Sequence, residues 1–302
     1  MNAKASAPAS LPGRVVAGYG RRMLVEDSEG NRHRCISSGR SLRAVCGDRV
    51  RWRHGGREGV VTAIEERSTE LTRPDKRGRK EVLAANMTHV VVVAAPEPEP
   101  DAFIVDRYLA AAHFMGVDCT VVFNKQDLPE PRAQWPDEYE RAGYPVWRVS
   151  ARSGEGLAAL SAHMNDHTSI FVGQSGVGKS SLLNALVPDL ALATQELSTA
   201  SREGRHTTTA SVLHHTPSSG DIIDSPGVRD YAPAPIPPAD VDQGYREFLP
   251  FLGRCRFANC RHLAEPDCAV KQAAETGQIS SRRYESYRRL LRLMEKLSAP
   301  PR

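Results

Sequence analysis

Apolar and polar residues are patterned differently in three parts of the chain, and the first part predicts a small β-barrel. Between residues 13 and 73, short runs of β-formers are separated by turn residues, with breaks at 28–30 and 55–56. The five predicted strands lie in the segments RVVAGY, RRMLVED, NRHRCIS, DRVRWRH and REGVVTAIEE. Five short strands in about 60 residues suit an oligonucleotide-binding (OB) barrel, although another small barrel, such as an SH3-like one, fits the strand count equally well.

The central part of the chain predicts an α/β domain. After a polar, basic connector at 72–80, short apolar runs alternate with helical stretches. The predicted strands lie in HVVVVAA, DCTVVFNK, PVWRVSA and TSIFVG, and the helices lie near 103–114, 133–142 and 155–165, followed by one that GKSSLLNAL opens. This alternation predicts a parallel sheet with helices on both faces, whose ligands bind beyond the carboxyl ends of the strands.

The last part of the chain predicts a small helical domain. A proline-dense strip at 232–240 precedes helical segments around a cluster of cysteine and histidine. In the final stretch, 281–297, apolar residues recur at helical spacing, which predicts an amphipathic packing helix whose arginines face water or RNA. The predicted organisation is therefore a flexible tail at 1–12, an OB-fold domain at 13–73, an α/β domain at 80–231 and a mainly helical domain at 232–302.

Charge is segregated along the chain in the same way. The formal net charge is only +4, but residues 13–80 carry 17 Lys+Arg against 9 Asp+Glu, and residues 254–302 carry 11 against 5. Residues 81–253, in contrast, carry 11 against 22. Most charges are simply solvated, but two basic ends around an acidic centre favour modules that meet a polyanion such as RNA.

The apolar runs also argue against a membrane protein. None approaches the roughly 18 residues of a spanning helix, and the N-terminal residues MNAKASAPASLPGR lack a secretory hydrophobic segment. We therefore expect a cytoplasmic protein with no membrane partner.

Three of the six cysteines are clustered near the C-terminus and predict a metal centre. Cys255, Cys260, His262 and Cys268 form the pattern CxxxxCxHxxxxxC. These four ligand types suit tetrahedral Zn²⁺, and a full set of four predicts one structural zinc ion that stabilises a polar segment. A redox cysteine cluster is the competing interpretation, which the interleaved histidine disfavours.

A glycine-rich segment at 173–180 follows the strand TSIFVG and precedes a helix. It reads GQSGVGKS and matches GxxxxGK[ST], the phosphate-binding P-loop, in the context that this motif requires. Its glycines let backbone amides turn toward phosphate at a helix N-terminus, while Lys179 is placed for the β- and γ-phosphates and Ser180 for Mg²⁺. The predicted nucleotide contacts are Gly173, Gln174, Ser175, Gly176, Val177, Gly178, Lys179, Ser180 and Ser181.

Two further motifs end strands and indicate guanine recognition. In NKQD at 124–127, Asp127 can accept hydrogen bonds from N1 and N2 of guanine, a pattern that adenine cannot supply. Asn124 would brace this loop and Lys125 would cover the ring. Alone the motif could be a surface turn, but beside a P-loop it is informative. In SAR at 150–152, which includes Ser150, the amide of Ala151 could meet the guanine O6.

Two segments between the P-loop and the C-terminal domain predict the γ-phosphate and magnesium contacts. DSPG at 224–227 ends the strand GDIID, so Asp224 would hold Mg²⁺ and the amide of Gly227 would contact the γ-phosphate. In GRHTTT at 204–209, Thr208 is favoured to complete the Mg²⁺ shell, with Thr207 as the alternative. This segment could instead be an ordinary mobile loop.

The motifs occur in an unusual order, because NKQD and SAR precede the P-loop, GRHTTT and DSPG. With a basic barrel before them and the Cys/His cluster after them, this order resembles the circularly permuted, ribosome small-subunit-dependent GTPases of the RsgA (YjeQ) family, over about residues 12–297. A sheet can position the loops whatever the chain order, provided that the old termini lie close together. The resemblance implies GTP and GDP as ligands, Mg²⁺ with GTP, the small ribosomal subunit and its rRNA as partners, and a monomer.

The resemblance also implies a mode of catalysis. Ras-like GTPases place a glutamine directly after DxxG, where this chain has Val228, which implies slow intrinsic turnover accelerated by the partner. His206 is the candidate for orienting or deprotonating the attacking water, with Lys179 and Gly227 as the other catalytic candidates. The predicted function is GTP hydrolysis coupled to late small-subunit maturation and to release. Alternatives are a nucleotide-dependent RNA-binding module with incidental hydrolysis, and a P-loop ATPase unconnected to ribosomes.

Overall fold

A computed structural model describes the chain over residues 10–39, 41–74, 80–128, 136–187, 211–225 and 236–298. Two compact units make up the chain. The first contains the described residues of 1–88, 164–170 and 186–228, and the second contains those of 89–163, 171–185 and 229–302. Both units are therefore assembled from segments that are far apart in the sequence.

The first unit contains a closed five-stranded barrel. Its strands are β1 (Leu11–Tyr19), β2 (Arg22–Glu26), β3 (Arg32–Ser37), β4 (Arg49–Arg53) and β5 (Gly59–Ile64). Antiparallel ladders join β1 to β2, β2 to β3 and β4 to β5, while β3 pairs with β5 in parallel and β1 pairs with β4. The resulting order β1-β2-β3-β5-β4-β1 is that of an OB barrel, which decides between the two kinds of barrel that the strand count left open.

The barrel core is organised around Trp52, which is 1% exposed. Buried side chains alternate with exposed or half-buried ones along β2 and β4, as the period of a half-buried strand requires. Gly13 lies directly against this core, since a Cβ there would come within 2.5 Å of Val25 Cγ1 and 2.9 Å of Trp52 Nε1. Any larger residue at this position would therefore displace core side chains.

The segment predicted as a connector contributes its ends to strands. β6 (Glu70–Pro74) and β7 (Lys80–Ala85) form an antiparallel two-stranded sheet, and residues 75–79 between them lie outside the described part of the chain. The strand pairing depends on backbone hydrogen bonds, which polar side chains do not disturb. The polar, basic composition of the segment therefore did not reveal that its ends form strands.

Two strands of the first unit carry a polar cluster. β12 (Val212–His215) pairs with β13 (Asp221–Asp224) in antiparallel fashion, and β13 pairs in parallel with the start of β11 (Thr168–Val172). His215 Nδ1 lies 2.7 Å from Asp221 Oδ1, and its Nε2 lies 2.8 Å from Glu26 Oε1 on β2. Hydrogen bonds to Asp221 and Glu26 raise the pKa of His215 to about 9, so the imidazole is charged at neutral pH.

The second unit contains parallel strands and their helices. β8 (His89–Ala94), β9 (Asp118–Phe123) and β10 (Val146–Arg148) pair in parallel, and all six residues of β8 are buried. The helices are α1 (Ala102–Met115), α2 (Pro136–Arg141), α3 (Leu157–His163) and α4 (Lys179–Leu186). Continuous apolar runs are expected where helices cover both faces of a parallel sheet.

The second unit also contains the C-terminal helices. They are two 3₁₀-helices, η1 (Pro238–Gly244) and η2 (Arg246–Phe251), and two α-helices, α5 (Ala269–Glu275) and α6 (Ser281–Ser298). Tyr287, Leu290, Leu291 and Met294 on α6 pack into one core with Tyr245 and Phe248. None of the helices within the described residues combines the length and apolar character that crossing a bilayer requires.

One arginine of α6 departs from the prediction that its arginines face water or RNA. Arg283 is 1% exposed, and its guanidinium donates to Glu247 Oε1 at 2.6 Å and to Asp106 Oδ1 at 2.5 Å. Arg282 donates to the other Asp106 oxygen at 2.9 Å, and the Tyr139 hydroxyl donates to Oδ1 at 2.7 Å. Burial alone would raise the pKa of Asp106, but the charges of Arg283 and Arg282 lower it. A buried arginine is accommodated here because carboxylates compensate its charge.

Candidate nucleotide site and zinc centre

The P-loop motif lies between β11 and α4, as the sequence predicts. Gly173, Gly176 and Gly178 have φ angles of 142°, 85° and 91°, which favour glycine. A Cβ on Gly173 would lie 2.1 Å from Val93 O, and one on Gly178 would lie 2.4 Å from Asn124 Nδ2. Both the backbone conformation and the space around it therefore require glycine, and the loop is free to present its amides to phosphate.

Lys179 is the first residue of α4 and bends back over the loop. Its Nζ donates to the carbonyl oxygens of Gly173 at 2.7 Å and Gln174 at 2.6 Å. These contacts hold a positive charge above the loop. Ser180 and Ser181, which follow it on the helix, are exposed.

Asn124, the first residue of NKQD, is buried and joins three of the predicted motifs. Its Nδ2 donates to Val177 O in the P-loop at 3.0 Å, and its Oδ1 accepts from the amide of Ala151 in SAR at 3.1 Å. The side chain is 1% exposed and directs its amide donor and its carbonyl acceptor into different loops. The structure thus brings the P-loop and both predicted base-reading loops together through one residue.

The carboxylate of Asp127 is positioned by Ser150. The Ser150 hydroxyl donates to Asp127 Oδ1 at 2.6 Å and accepts from the amide of Ser153 at 3.0 Å. The hydrogen bond from Ser150 is the main cause that lowers the pKa of Asp127, so the carboxylate is ionised at neutral pH. An ionised carboxylate is the acceptor that the two guanine donors N1–H and N2–H require.

A loop that the sequence did not single out lies against these motifs. Lys125 Nζ donates to Glu97 O at 2.8 Å, and the amide of Asp101 donates to Gln174 Oε1 at 3.2 Å. Pro98 also packs near Gly176, where a Cβ would lie 3.2 Å from its Cδ. The segment 96–101 follows the carboxyl end of β8, the end at which parallel sheets bind ligands. This position after a predicted strand could have identified the loop from the sequence.

The predicted γ-phosphate and magnesium residues are described only in part. Asp224 is the last residue of β13 in the first unit, and the hydroxyl of the adjacent Ser225 accepts a 2.7 Å hydrogen bond from the Ser211 hydroxyl. His206, Thr207, Thr208, Gly227 and Val228 lie outside the described residues. Their assignments therefore stay predictions.

The four predicted zinc ligands converge. One ligand atom from each of Cys255, Cys260, His262 and Cys268 lies within 4.8 Å of all the others. Nδ1 of His262 is 3.3 Å from Cys268 Sγ and 3.6 Å from Cys255 Sγ, while the two sulfurs are 3.8 Å apart. These separations fit a tetrahedrally coordinated ion with Zn–S distances of about 2.3 Å and a Zn–N distance of about 2.0 Å. The donor set therefore fits zinc, and with four protein ligands its contribution would be structural.

Comparison with known proteins decides the family. A family model described as RsgA GTPase matches residues 64–233 of the chain. The chain belongs to the RsgA GTPase family. The resemblance that the motif order indicated is thereby confirmed, and so is the assignment as a GTPase.

RsgA proteins are similar to this chain over nearly its whole length. The protein named Small ribosomal subunit biogenesis GTPase RsgA 1 from Vibrio vulnificus (strain YJ016) is 43% identical over 296 residues, covering 94% of this chain and 84% of that protein. Small ribosomal subunit biogenesis GTPase RsgA from Pseudomonas aeruginosa (strain LESB58) is 43% identical over 288 residues, covering 93% and 85%.

Solved structures of the RsgA type share the fold. YjeQ from Thermotoga maritima superposes with a TM-score of 0.77 at 30% identity, covering 97% of this chain and 100% of that one. YloQ, described as a circularly permuted GTPase, gives a TM-score of 0.74 at 26% identity and covers 99% and 100%. These similarities confirm the predicted fold class: an OB-like barrel, a circularly permuted α/β GTPase domain and a helical C-terminal region whose Cys/His cluster can bind zinc.

Proposed function

We propose that this RsgA-family GTPase binds the small ribosomal subunit and couples GTP hydrolysis to late maturation of that subunit and to its own release. The observation that carries the proposal is the position of Asn124, whose side chain joins the P-loop to SAR. A single residue that organises phosphate-binding and base-reading loops together supports one guanine-nucleotide site. The names of the relatives, small ribosomal subunit biogenesis GTPases, support the biological setting.

In this proposal, different groups of the described residues contact the base and the phosphates of the nucleotide. Asp127, oriented by Ser150, accepts from N1 and N2 of guanine, and the amide of Ala151 meets O6. The stem of Lys125 covers one face of the base. At the other end, the amides of 173–178 and the ammonium of Lys179 contact the phosphates. Binding of GTP would draw Lys179 away from the carbonyls that it now contacts, toward the β- and γ-phosphates.

Magnesium and the attacking water complete the proposed site. Mg²⁺, which enters with GTP, would be held by Ser180, Asp224 and Thr208, and it would neutralise charge that develops on the phosphates. Gly227 would donate its amide to the γ-phosphate, and His206 would orient or deprotonate the water. With Val228 in place of a glutamine, slow hydrolysis in the absence of the ribosomal subunit is the expected behaviour.

The basic parts of the chain are the proposed contacts to rRNA. The barrel exposes arginines on β2 and β4, the two strands that flank β1, among them Arg22, Arg49 and Arg51. Positive charge of this kind binds the RNA backbone without reading its sequence. We further propose that the protein acts as a monomer in the cytoplasm, where its ribosomal partner is found, and that one zinc ion stabilises the C-terminal domain.

Turnover assays test this function directly. Hydrolysis of GTP and of ATP is measured with the purified chain alone and with purified small ribosomal subunits. The proposal predicts slow GTP hydrolysis that small subunits stimulate at least about tenfold, with no comparable effect on ATP. If the chain binds the subunit only with a guanine nucleotide, and the subunit does not stimulate GTP hydrolysis, the result would support instead a nucleotide-dependent RNA-binding module. ATP hydrolysis at a rate that the subunit does not change would contradict the proposal.

A further inference from the structure

The zinc ligand His262 is contacted from outside the ligand cluster by Asp242 of η1. Asp242 Oδ2 lies 3.2 Å from His262 Nε2, on the side of the ring opposite the cysteine sulfurs. The imidazole is almost fully buried, with its side chain 4% exposed, and the Asp242 side chain is 17% exposed. The contact therefore joins two largely buried groups from segments that are 20 residues apart.

The direction of this contact follows from the chemistry of the ring. Nδ1 faces Cys255 and Cys268, so its lone pair is the one available to a metal ion. A neutral imidazole carries only one proton, which must then reside on Nε2, and Nε2–H can only donate. Asp242 is an acceptor at the position where this donor needs one.

The surroundings of Asp242 favour the same conclusion. Oδ1 of Asp242 is buried and receives no hydrogen bond from the described residues. A carboxylate with so few partners is costly to bury unless positive charge lies near it. An imidazole bound to Zn²⁺ supplies that charge, because the metal polarises the ring and strengthens its N–H as a donor.

The backbone of His262 is fixed by a different element. The Tyr284 hydroxyl on α6 donates to His262 O at 2.6 Å, and the Tyr287 hydroxyl donates to Arg261 O at 2.7 Å. His262 also has a φ angle of 56°, a left-handed conformation that is uncommon outside glycine. Since α6 fixes the main chain, the orientation of the ring about its own side-chain bonds is left to Asp242.

We infer that Asp242 is a positioning residue of the zinc centre: it fixes the tautomer and orientation of His262, so that zinc binding attaches the Cys/His cluster to η1. The inference rests on the proposed zinc site. Gly244 at the end of η1 packs against α1, where a Cβ would lie 2.9 Å from Ala110 Cβ. Loss of Asp242 would therefore weaken zinc binding and release the cluster from a helix that packs on the GTPase part of the second unit.

Zinc affinity of single variants tests this inference. Asp242→Ala, Asp242→Asn and Asp242→Glu are compared with the wild-type chain by competition with a chromogenic zinc chelator. We expect Asp242→Ala to weaken zinc binding about 10- to 100-fold, as the loss of such an outer partner typically does. Asp242→Asn keeps the shape and an acceptor oxygen but loses the charge, so an intermediate loss is expected, and Asp242→Glu should recover part of the affinity.

A matched control and a second readout separate positioning from folding. Asp240 lies on the same 3₁₀-helix and contacts Gln243 rather than a ligand, so Asp240→Ala should keep the wild-type zinc affinity within about twofold. In ¹H–¹⁵N spectra of the zinc-loaded chain, His262 should show a protonated Nε2 that exchanges with solvent faster in Asp242→Asn. A merely structural role would lower stability without changing these imidazole signals.

Two results would overturn the inference in distinguishable ways. Wild-type chain that binds no stoichiometric zinc would remove the zinc site itself, and with it the role of Asp242. In the other case, the wild-type chain binds zinc, and Asp242→Ala and Asp242→Asn keep its zinc affinity within twofold with unchanged His262 signals. The zinc site would then stand, and only the positioning role of Asp242 would be refuted.

Discussion

Asn124 donates a 3.0 Å hydrogen bond from its side-chain amide to the backbone carbonyl of Val177. The predicted base-reading motif and the P-loop are thereby joined, although the chain reaches them in the reverse of the usual order. Because both groups are buried or nearly so, this bond forms without competition from water.

Removing this tie should weaken nucleotide binding at both ends of the ligand. Asn124→Ala loses the bonds to Val177 and Ala151 and leaves buried backbone groups without these partners, a cost of about 1–3 kcal/mol. We expect GTP and GDP affinities to fall together by about 10- to 100-fold, measured by isothermal titration calorimetry. Gln126→Ala, in the same loop, is the control and should retain wild-type affinity. An Asn124→Ala chain that binds both nucleotides normally would show that the loops hold their positions independently.

The specificity for guanine should depend on the charge of Asp127. In Asp127→Asn, the side chain offers an acceptor to N1–H and a donor to O2, which matches xanthine rather than guanine. GTP binding should fall at least about 100-fold while xanthosine triphosphate gains, because an unmatched polar group in a base pocket is strongly disfavoured. Competition binding with the two triphosphates measures the ratio. If guanine preference is unchanged, Asp127 does not read the base.

The buried ion pairs of Arg283 should be important for the stability of the second unit. Arg283→Met removes the buried arginine that compensates Glu247 and leaves Asp106 with Arg282 alone, and breaking such a buried pair costs about 3–5 kcal/mol. Urea denaturation of the zinc-loaded chain measures the loss. Arg292→Met is the control on the same helix, since the Arg292 side chain is 55% exposed, and we expect a change within about 0.5 kcal/mol. Equal effects of the two substitutions would argue against a stabilising role for the network.

Stability of the first unit should fall in alkaline solution because of His215. The pKa of this imidazole is raised to about 9 in the folded chain, so its contribution is complete below about pH 6.5 and is lost as the pH rises through 9. The effect should be modest, since the side chain is 48% exposed and solvent screens its ion pairs. The thermal unfolding temperature should decline between pH 6 and pH 10. His215→Asn should remove this decline, whereas His54→Asn, at an exposed position of the barrel, should leave it in place. If the decline persists in His215→Asn, other groups cause it.

The parts of the fold that the sequence predicted are those that local patterns encode. Glycine spacing identified the P-loop because the positive φ angles and close contacts at Gly173 and Gly178 exclude other residues. The polar motifs were found because they end buried strands. The structure brings the two predicted base-reading motifs and the P-loop together, as their positions at the carboxyl ends of strands imply.

The parts that escaped prediction depend on contacts between distant segments. Arg283 precedes Tyr287 by four residues, so helical spacing placed it on the buried side of α6, but its residue type indicated solvent. Only Asp106 and Glu247, which lie far away in the sequence, make its burial acceptable. Similarly, nothing in the sequence around Asp242 shows that it contacts His262 of the Cys/His cluster, 20 residues later.

The claim that the permuted motifs form one GTP site is tested most sharply by the structure of the chain bound to Mg²⁺ and a non-hydrolysable GTP analogue. We predict one nucleotide whose guanine N1 and N2 lie within hydrogen-bonding distance of the Asp127 carboxylate and whose β- and γ-phosphates contact Lys179 Nζ. A nucleotide that contacts only one of these two residues, or two separate molecules that occupy them, would contradict the claim that the permuted motifs form a single GTP site.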